Sequence, residues 1–178
     1  STQQEEPFYG DKYLPRKFKT GITHTGDNSI DLYSYDCGLI AFIESGRITG
    51  YNVVVGGGMG MTHNKSDTFA ALAQPLGFIA PEHVVETAKT IAAICRDHGN
   101  RADRRHARLK YLIAEWGMDR FREEFRSRVD YLLEPFKPMP QAGYEDYVGR
   151  HEQNDGKCFY GVFVENGRVV DRDSAKIK

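Results

Sequence analysis

The sequence is short of cysteine, and what it has is scattered: Cys37, Cys95 and Cys158 are its only three. None forms a C-x-x-C or similar ligand pair, so no iron–sulfur or zinc site is expected from this chain alone, and the three read as reduced thiols of a cytosolic protein. No stretch approaches the roughly 18 apolar residues of a membrane helix. Ser1 to Glu6 lacks the basic-then-apolar order of a signal peptide, and the absence of an initiator Met predicts that the chain starts inside a longer one. Large charge of either sign is missing too. The formal net charge is -1, which excludes a global polyanion-binding role while allowing a local one. The six histidines, His24, His63, His83, His98, His106 and His151, show no H-x-x-x-H or H-E-x-x-H spacing, no metal ligands are expected, and no Ser/His/Asp arrangement is evident.

What is present suffices for one globular domain with an attached partial one, since 40% of the residues are hydrophobic and 12% aromatic. Residues 1–12 are polar and acidic and read as a leading arm. The first ordered element is expected at Leu14 to Thr23. Alternation marks Ile30 to Tyr35, and β-prone runs follow at Leu39 to Glu44 and Ile48 to Val55, with Ser45-Gly46 as a tight hairpin turn. From Pro81 the period becomes helical: Val84, Val85, Ala88, Ile91, Ala92 and Cys95 share one face, with Gly99 as a stop, which places Cys95 in the core. A second helix is expected from Arg101 to Trp116 and a third from Met118 to Leu133, separated by Gly117. Pro135, Pro138 and Pro140 make a linker. Beyond it, Phe159 to Glu165, Asn166-Gly167 and Arg168 to Asp171 carry a hairpin signal. Ala41 to Ile48 echoes Val162 to Val169, over too few positions to establish duplication. The fold class is α+β, a largely antiparallel sheet with helices packed against it, in the order leading arm 1–12, domain 13–137, and linker with the start of a second half-domain at 138–178.

Three segments carry candidate chemistry. In Pro15-Arg16-Lys17-Phe18-Lys19 an extended backbone points Lys17 and Lys19 to the same side, so two ammonium groups converge where an anion would relieve their repulsion; on spacing alone an exposed edge strand protected by lysines against aggregation is the favoured reading. Gly56-Gly57-Gly58 is neither a Walker A loop nor a dinucleotide fingerprint, and it reads as a turn or as a backbone surface for a flat cofactor or an anion. In the helix expected from Arg101, at about 100° per residue, Arg101, Arg104, Arg105 and Arg108 centre only some 80° from Leu109, Leu112, Ile113 and Trp116. Arginines that border the core suit the lip of a cleft and a ligand with several carboxylates. A non-enzymatic basic module binding nucleic acid or an anionic partner is the alternative, and an anion-binding scaffold without redox cofactors is a third reading.

Taken together and in order, Tyr13-Leu-Pro-Arg-Lys-Phe-Lys19, Gly50-Tyr-Asn-Val-Val-Val-Gly-Gly-Gly58 and Gly99-Asn-Arg-Ala-Asp-Arg-Arg-His-Ala-Arg-Leu-Lys-Tyr111 resemble the siroheme-dependent sulfite and nitrite reductase family. The resemblance runs from about Tyr13 to Asp171, and the Glu165-Asn-Gly-Arg168 hairpin resembles the start of that family's second ferredoxin-like half. It implies a nitrite/sulfite reductase 4Fe-4S domain-like fold and, in a full-length parent, a siroheme whose iron is bridged by cysteine to a [4Fe–4S] cluster. Six electrons would arrive from a ferredoxin or a flavoprotein. Lys17 and Lys19 would face sulfite or nitrite as the catalytic cations; Arg16, Arg101, Arg104 and Arg108 would pair with siroheme carboxylates; Gly56, Gly57 and Gly58 would lie near the macrocycle. Nitrite-type members tend to carry asparagine at the place of Lys19, so the resemblance leans towards sulfite. The cluster cysteines and the family's upstream substrate-binding arginines are absent. The implied protein is thus a cytoplasmic enzyme fragment expected to bind neither cofactor nor nucleic acid nor membrane, and to be inactive alone.

Overall fold

Two β-prone, largely continuous apolar runs at the centre of the chain build the middle of a sheet and are buried along most of their length. The computed structural model describes residues 6–9, 11–140 and 146–164. Strand β1 (Thr20–His24) leads to β2 (Cys37–Glu44), β3 (Arg47–Val55) and β4 (Gln74–Ile79), which lie in the order β1-β2-β3-β4. The pairs β2/β3 and β3/β4 are antiparallel and β1/β2 is parallel, so the sheet is largely antiparallel. Ser45 and Gly46 close the β2/β3 hairpin with φ of 50° and 74°, the left-handed pair that matches the twist of the flanking strands.

Helices α1 (Val84–His98) and α2 (Leu109–Arg126) cover one face. Ile91, Ile94, Cys95, Leu112, Ile113, Phe121 and Phe125 pack there against Leu39, Val53, Val55 and Ile79. Phe121 and Phe125 are fully buried, so truncating either to Ala would cost about 3–5 kcal/mol. On the opposite face Leu32, Ile40, Val54 and Ala73 form a smaller cluster with Tyr33, Phe136 and Met139. Buried Asn52 holds the returning chain there: its Nδ2 donates to the Lys137 carbonyl at 2.8 Å and its Oδ1 accepts from Lys137 N at 2.9 Å.

Several elements differ from the sequence pattern. Ile30 to Tyr35 is no strand: Asn28 Oδ1 accepts from Leu32 N at 3.0 Å, Asp31 turns left-handed, and a 3-10 turn spans Leu32–Ser34. Strand β1 begins at Thr20, so Lys17 and Lys19 precede it. The helix expected from Arg101 begins at Leu109, because Asn100 Oδ1 takes the N–H groups of Ala102 and Asp103, and Asp103 Oδ1 that of Arg105, each at 2.9 Å. These side-chain acceptors wind residues 100–106 into turns in competition with the helix. The break expected at Gly117 is present, at φ 76° and ψ 160° inside α2, but the helix ends at Arg126 rather than Leu133. Strand β4 was hidden by Pro75 and Gly77; Gly77 is needed because a Cβ there would lie 2.6 Å from Leu133 Cδ1 and 2.7 Å from the Glu134 carbonyl.

The chain divides into two compact units, Ser1–Gly143 and Tyr144–Lys178. In the second, β5 (Gly149–Glu152) pairs antiparallel with β6 (Cys158–Gly161). The strand expected at Phe159 to Glu165 therefore starts at Cys158 and finds its partner upstream. The Asn166-Gly167 turn and Arg168 to Asp171 lie outside the described residues.

Candidate functional site

The segment that carries Arg16, Lys17 and Lys19 has no strand partner of its own and is fixed at its two ends. At the first, Arg101 Nη2 donates to the Tyr13 carbonyl at 2.7 Å. At the second, Lys19 N donates to Asp36 Oδ2 at 2.8 Å, and the Lys19 carbonyl accepts from Cys37 N at 3.1 Å. The Lys19 ammonium lies 4.9 Å from the centre of the Tyr35 ring, a cation–π contact that orients it.

The turns at residues 100–108 form the facing wall. A 3-10 turn at Arg104–His106 is capped by Asp103. Arg108 is extended at φ -75° and ψ 150°, which directs its guanidinium back to Asp36: Nε donates to Oδ1 at 2.9 Å and Nη2 to Oδ2 at 2.8 Å. The Asp36 side chain has no exposed surface and that of Arg108 is 12% exposed, so this is a buried fork-to-fork pair whose geometry offsets desolvation. Two residues on, buried Lys110 donates to the carbonyls of Gly58 at 3.1 Å, Gly60 at 2.7 Å, and Phe69. Three acceptors match three ammonium donors, and the loop from Met59 to Phe69 is thereby tied to the start of α2. Burial, and secondarily the Arg108 charge, push the Lys110 pKa down.

The same loop is held at a second point. His106 Nδ1 bonds Asp103 Oδ2 at 2.9 Å and its Nε2 bonds the Asp67 carbonyl at 3.0 Å. The Asp103 hydrogen bond, followed by the one to Asp67, raises the His106 pKa above 6.5. Asp103 is held below its ordinary range, chiefly by hydrogen bonds from Arg105.

Between these walls lies a cleft of about 480 Å³. Arg16, Lys17 and Lys19 line one side, Arg104, Arg105, Arg108 and Lys110 the other, and Met59 to Thr62 with Ser34 and Tyr111 complete it. Among the described residues no carboxylate lines it. Of the cations, Arg105 is paired with Asp103, Arg108 with Asp36, and Lys110 with carbonyls. Among the described residues no acidic side chain pairs with Arg16, Lys17, Lys19 or Arg104, so these four converge uncompensated on one volume. A nucleic-acid stripe would spread such charges over an exposed face; here they are gathered into a concavity.

The expected site residues therefore divide. Lys17, Lys19, Arg16, Arg104 and Arg108 meet in the cleft; Arg101 lies outside it, on the backbone of Tyr13 and Arg96. Gly56, Gly57 and Gly58 are buried behind the wall, with their N–H groups donated to the carbonyls of Asp36, Tyr35 and Ala71 at 2.8–2.9 Å. Their lack of a Cβ makes room for the protein's own atoms: at Gly57 a Cβ would meet the Tyr33 carbonyl and come within 2.6 Å of that of Tyr35. Sequence reasoning missed Asp36, an acidic residue ahead of an apolar strand, and Lys110, which nothing in the pattern distinguishes from a solvated lysine. Met59 and Met61, which follow the glycine run, are exposed apolar residues beside the cations.

The donor set of this chain does not fit an iron–sulfur cluster. Cys37 and Cys95 are buried and Cys158 is exposed on β6; burial pushes the first two thiols up to about 12. Among the described residues no group of three or more His, Cys, Asp or Glu could hold a metal ion, and no helix is long and apolar enough to cross a membrane.

Comparison with known proteins gives the arrangement a context. Residues 1–131 match the family model described as nitrite and sulphite reductase 4Fe-4S domain. The chain is 49% identical over 167 residues to the sulfite reductase [ferredoxin] of Synechococcus elongatus, covering 93% of this chain and 27% of that protein. It is 44% identical over 174 residues to the sulfite reductase [NADPH] hemoprotein beta-component of Geobacillus kaustophilus, covering 98% and 30%. The solved structure of the Mycobacterium tuberculosis NirA protein superposes with a TM-score of 0.62 at 30% identity, covering 82% of this chain and 26% of that one. The chain thus spans less than a third of the length of these relatives.

Proposed function

The chain belongs to the nitrite and sulphite reductase 4Fe-4S domain family, and from that membership we propose that it forms the basic wall over cofactor and substrate in a longer siroheme- and [4Fe–4S]-dependent sulfite reductase. The observation that carries the reading is the cleft with four uncompensated cations and no carboxylate. A flat tetrapyrrole with several carboxylates fits such a lining, because Met59 and Met61 offer apolar contact beside the charges. Arg16 and Arg104 would hold its carboxylates by forked hydrogen bonds; Arg101 and Arg108 would act behind them, and Gly56, Gly57 and Gly58 would keep the wall close to the ring. When bound, siroheme supplies the iron on which the substrate sits and the electron path from the cluster.

Lys17 and Lys19 would face the substrate anion. Each offers a positive charge and an N–H donor where negative charge develops, and each can hold a proton for an oxygen that leaves as water. In this reading the longer protein passes six electrons to sulfite, in preference to nitrite because Lys19 stands where nitrite-type members tend to carry asparagine. Its donor would be a ferredoxin or an NADPH-linked flavoprotein, and it would work in the cytoplasm in sulfur assimilation.

The test is turnover per bound siroheme in the full-length protein. Lys17→Ala and Lys19→Ala should each lower sulfite turnover by the equivalent of about 2–4 kcal/mol while leaving siroheme content nearly unchanged. Unchanged turnover in both variants would remove the lysines from the chemistry and return them to a solubilising role.

A further inference from the structure

One buried carboxylate joins the two basic walls. Asp36 has no exposed surface and accepts three hydrogen bonds through its two oxygens: Oδ2 from Lys19 N and from Arg108 Nη2, both at 2.8 Å, and Oδ1 from Arg108 Nε at 2.9 Å. Lys19 ends the segment that presents Arg16 and Lys17, and Arg108 ends the turns that present Arg104. The Asp36 carbonyl also accepts from Gly56 N at 2.9 Å, which fixes the residue itself to the end of β3. By charge alone an aspartate at this place opposes anion binding in the cleft. Its oxygens are engaged by Lys19 N and Arg108 and it does not line the cleft, so its contribution comes through its partners.

We propose that Asp36 is a positioning residue of the cleft, which sets Lys19 against Arg108 and thereby fixes the spacing of the two basic walls without touching what lies between them. This deepens the reading of the cleft as a site for an anionic cofactor and rests on it for the ligand measurement alone. Asparagine cannot substitute. An amide has one acceptor and one donor where Asp36 has two acceptors, so an N–H group would face either Lys19 N or the Arg108 fork.

Two measurements on the 178-residue chain test the assignment. Amide hydrogen exchange at Lys19 should speed at least tenfold in Asp36→Asn. Affinity for uroporphyrin, a flat tetrapyrrole polycarboxylate titrated by its Soret band, should fall at least tenfold. Simple electrostatics has the opposite sign, since removing a negative charge from a cationic cleft tightens anion binding. Unchanged exchange at Lys19 overturns the proposal, and so does unchanged or tighter binding of the porphyrin. If the unaltered chain does not bind uroporphyrin, as a fragment without the cluster-bearing part is expected not to, Lys19 exchange alone decides: acceleration in the variant supports the positioning role and unchanged exchange overturns it. Should Asp36→Asn fail to fold, Arg108→Lys replaces it, keeping the charge while removing the fork: faster Lys19 exchange supports the coupling and unchanged exchange overturns it.

Discussion

Arg101 and Tyr13 are joined by a 2.7 Å hydrogen bond from Nη2 to the backbone carbonyl, so an arginine that the family resemblance implied on a cofactor carboxylate straps the chain on its way into the cleft. Arg96 strengthens the strap by donating to the Phe8 carbonyl. Arg101→Ala should therefore loosen residues 6–9 and 11–14 before it affects ligand affinity. Its stability cost should be modest, about 1 kcal/mol for an exposed group. Limited proteolysis reads the outcome: faster cleavage in that arm is expected, and a loss of porphyrin affinity without faster cleavage would restore Arg101 to the ligand.

Lys110→Met removes the ammonium and leaves three carbonyls behind. Gly60 and Phe69 lie in an exposed loop and regain water, while Gly58 is buried and does not. The expected loss is about 3 kcal/mol, since hydrogen bonds to charged groups contribute roughly 1.5–3 kcal/mol each and only part is recovered by solvation. Urea unfolding measures it. Hydrogen exchange should also quicken from Met59 to Phe69, and a stable variant with an unchanged loop would mean that Lys110 does not hold it.

The His106 latch should depend on pH with a definite sign. Its folded pKa is raised above 6.5 by the Asp103 hydrogen bond and then by Asp67, so its contribution is fully present below about 6.5 and is lost as pH rises through the folded value. Asp103 is lowered from 3.8, first by its hydrogen bonds from Arg105, so its contribution is present above that value and is lost as pH falls towards the folded one. The latch is thus strongest between the two. Protection factors in the loop around Asp67, corrected for the intrinsic rise of exchange with pH, should fall from pH 5 to pH 8, and His106→Gln should flatten that fall.

Cysteine labelling gives a simple check on packing. Cys37 and Cys95 are buried, with thiols pushed up to about 12, and the thiolate is the reactive form. At pH 8 the native chain should take up one equivalent of iodoacetamide, at Cys158, and three after unfolding in denaturant. Rapid labelling of Cys95 in the native state would contradict the packing of α1 on the sheet.

The parts of this fold that could be read in the sequence are those fixed by periodicity over several residues. The β2/β3 hairpin followed from two β-prone apolar runs around Ser45-Gly46, and α1 followed from helical spacing, although its buried face runs through Thr87, Thr90, Ile91, Ile94 and Cys95 and leaves Val85 exposed. The failures share a cause: short polar side chains took backbone partners that periodicity cannot register. Asn28 turned Leu32–Ser34 into a 3-10 element, and Asn100 with Asp103 delayed α2 to Leu109. The cleft was legible for a different reason. Lys17 and Lys19 alternate along any extended backbone, whether or not it has a strand partner, and Arg104 and Arg108 reach the cleft through turns although a helix was expected. What could not be read was which cations were free. Asp36 and Arg108 are 72 residues apart, and only folding shows that each satisfies the other.

Two glycines separate a role in the fold from a role at the cleft surface. At Gly57 a Cβ would collide with the Tyr33 carbonyl and crowd Tyr35 N at 2.8 Å, and these backbone atoms belong to the loop that delivers Asp36 to β2. Gly57→Ala should therefore destabilise the chain by about 3 kcal/mol or more, in the range of strained or overpacked core positions, and displace Asp36 along with the loop. Gly60 lines the cleft with nothing within 4 Å of a Cβ built on it, so Gly60→Ala should leave the urea midpoint nearly unchanged while adding a methyl group to the ligand's side of the wall. If the glycine run serves chiefly to admit a flat ring, porphyrin affinity will suffer at Gly57 without loss of stability. If the structural reading is right, Gly57→Ala loses stability first, and Gly60→Ala alters affinity alone. Equal stability of the two variants would refute the assignment of Gly57 to the close approach of Tyr33 and Tyr35.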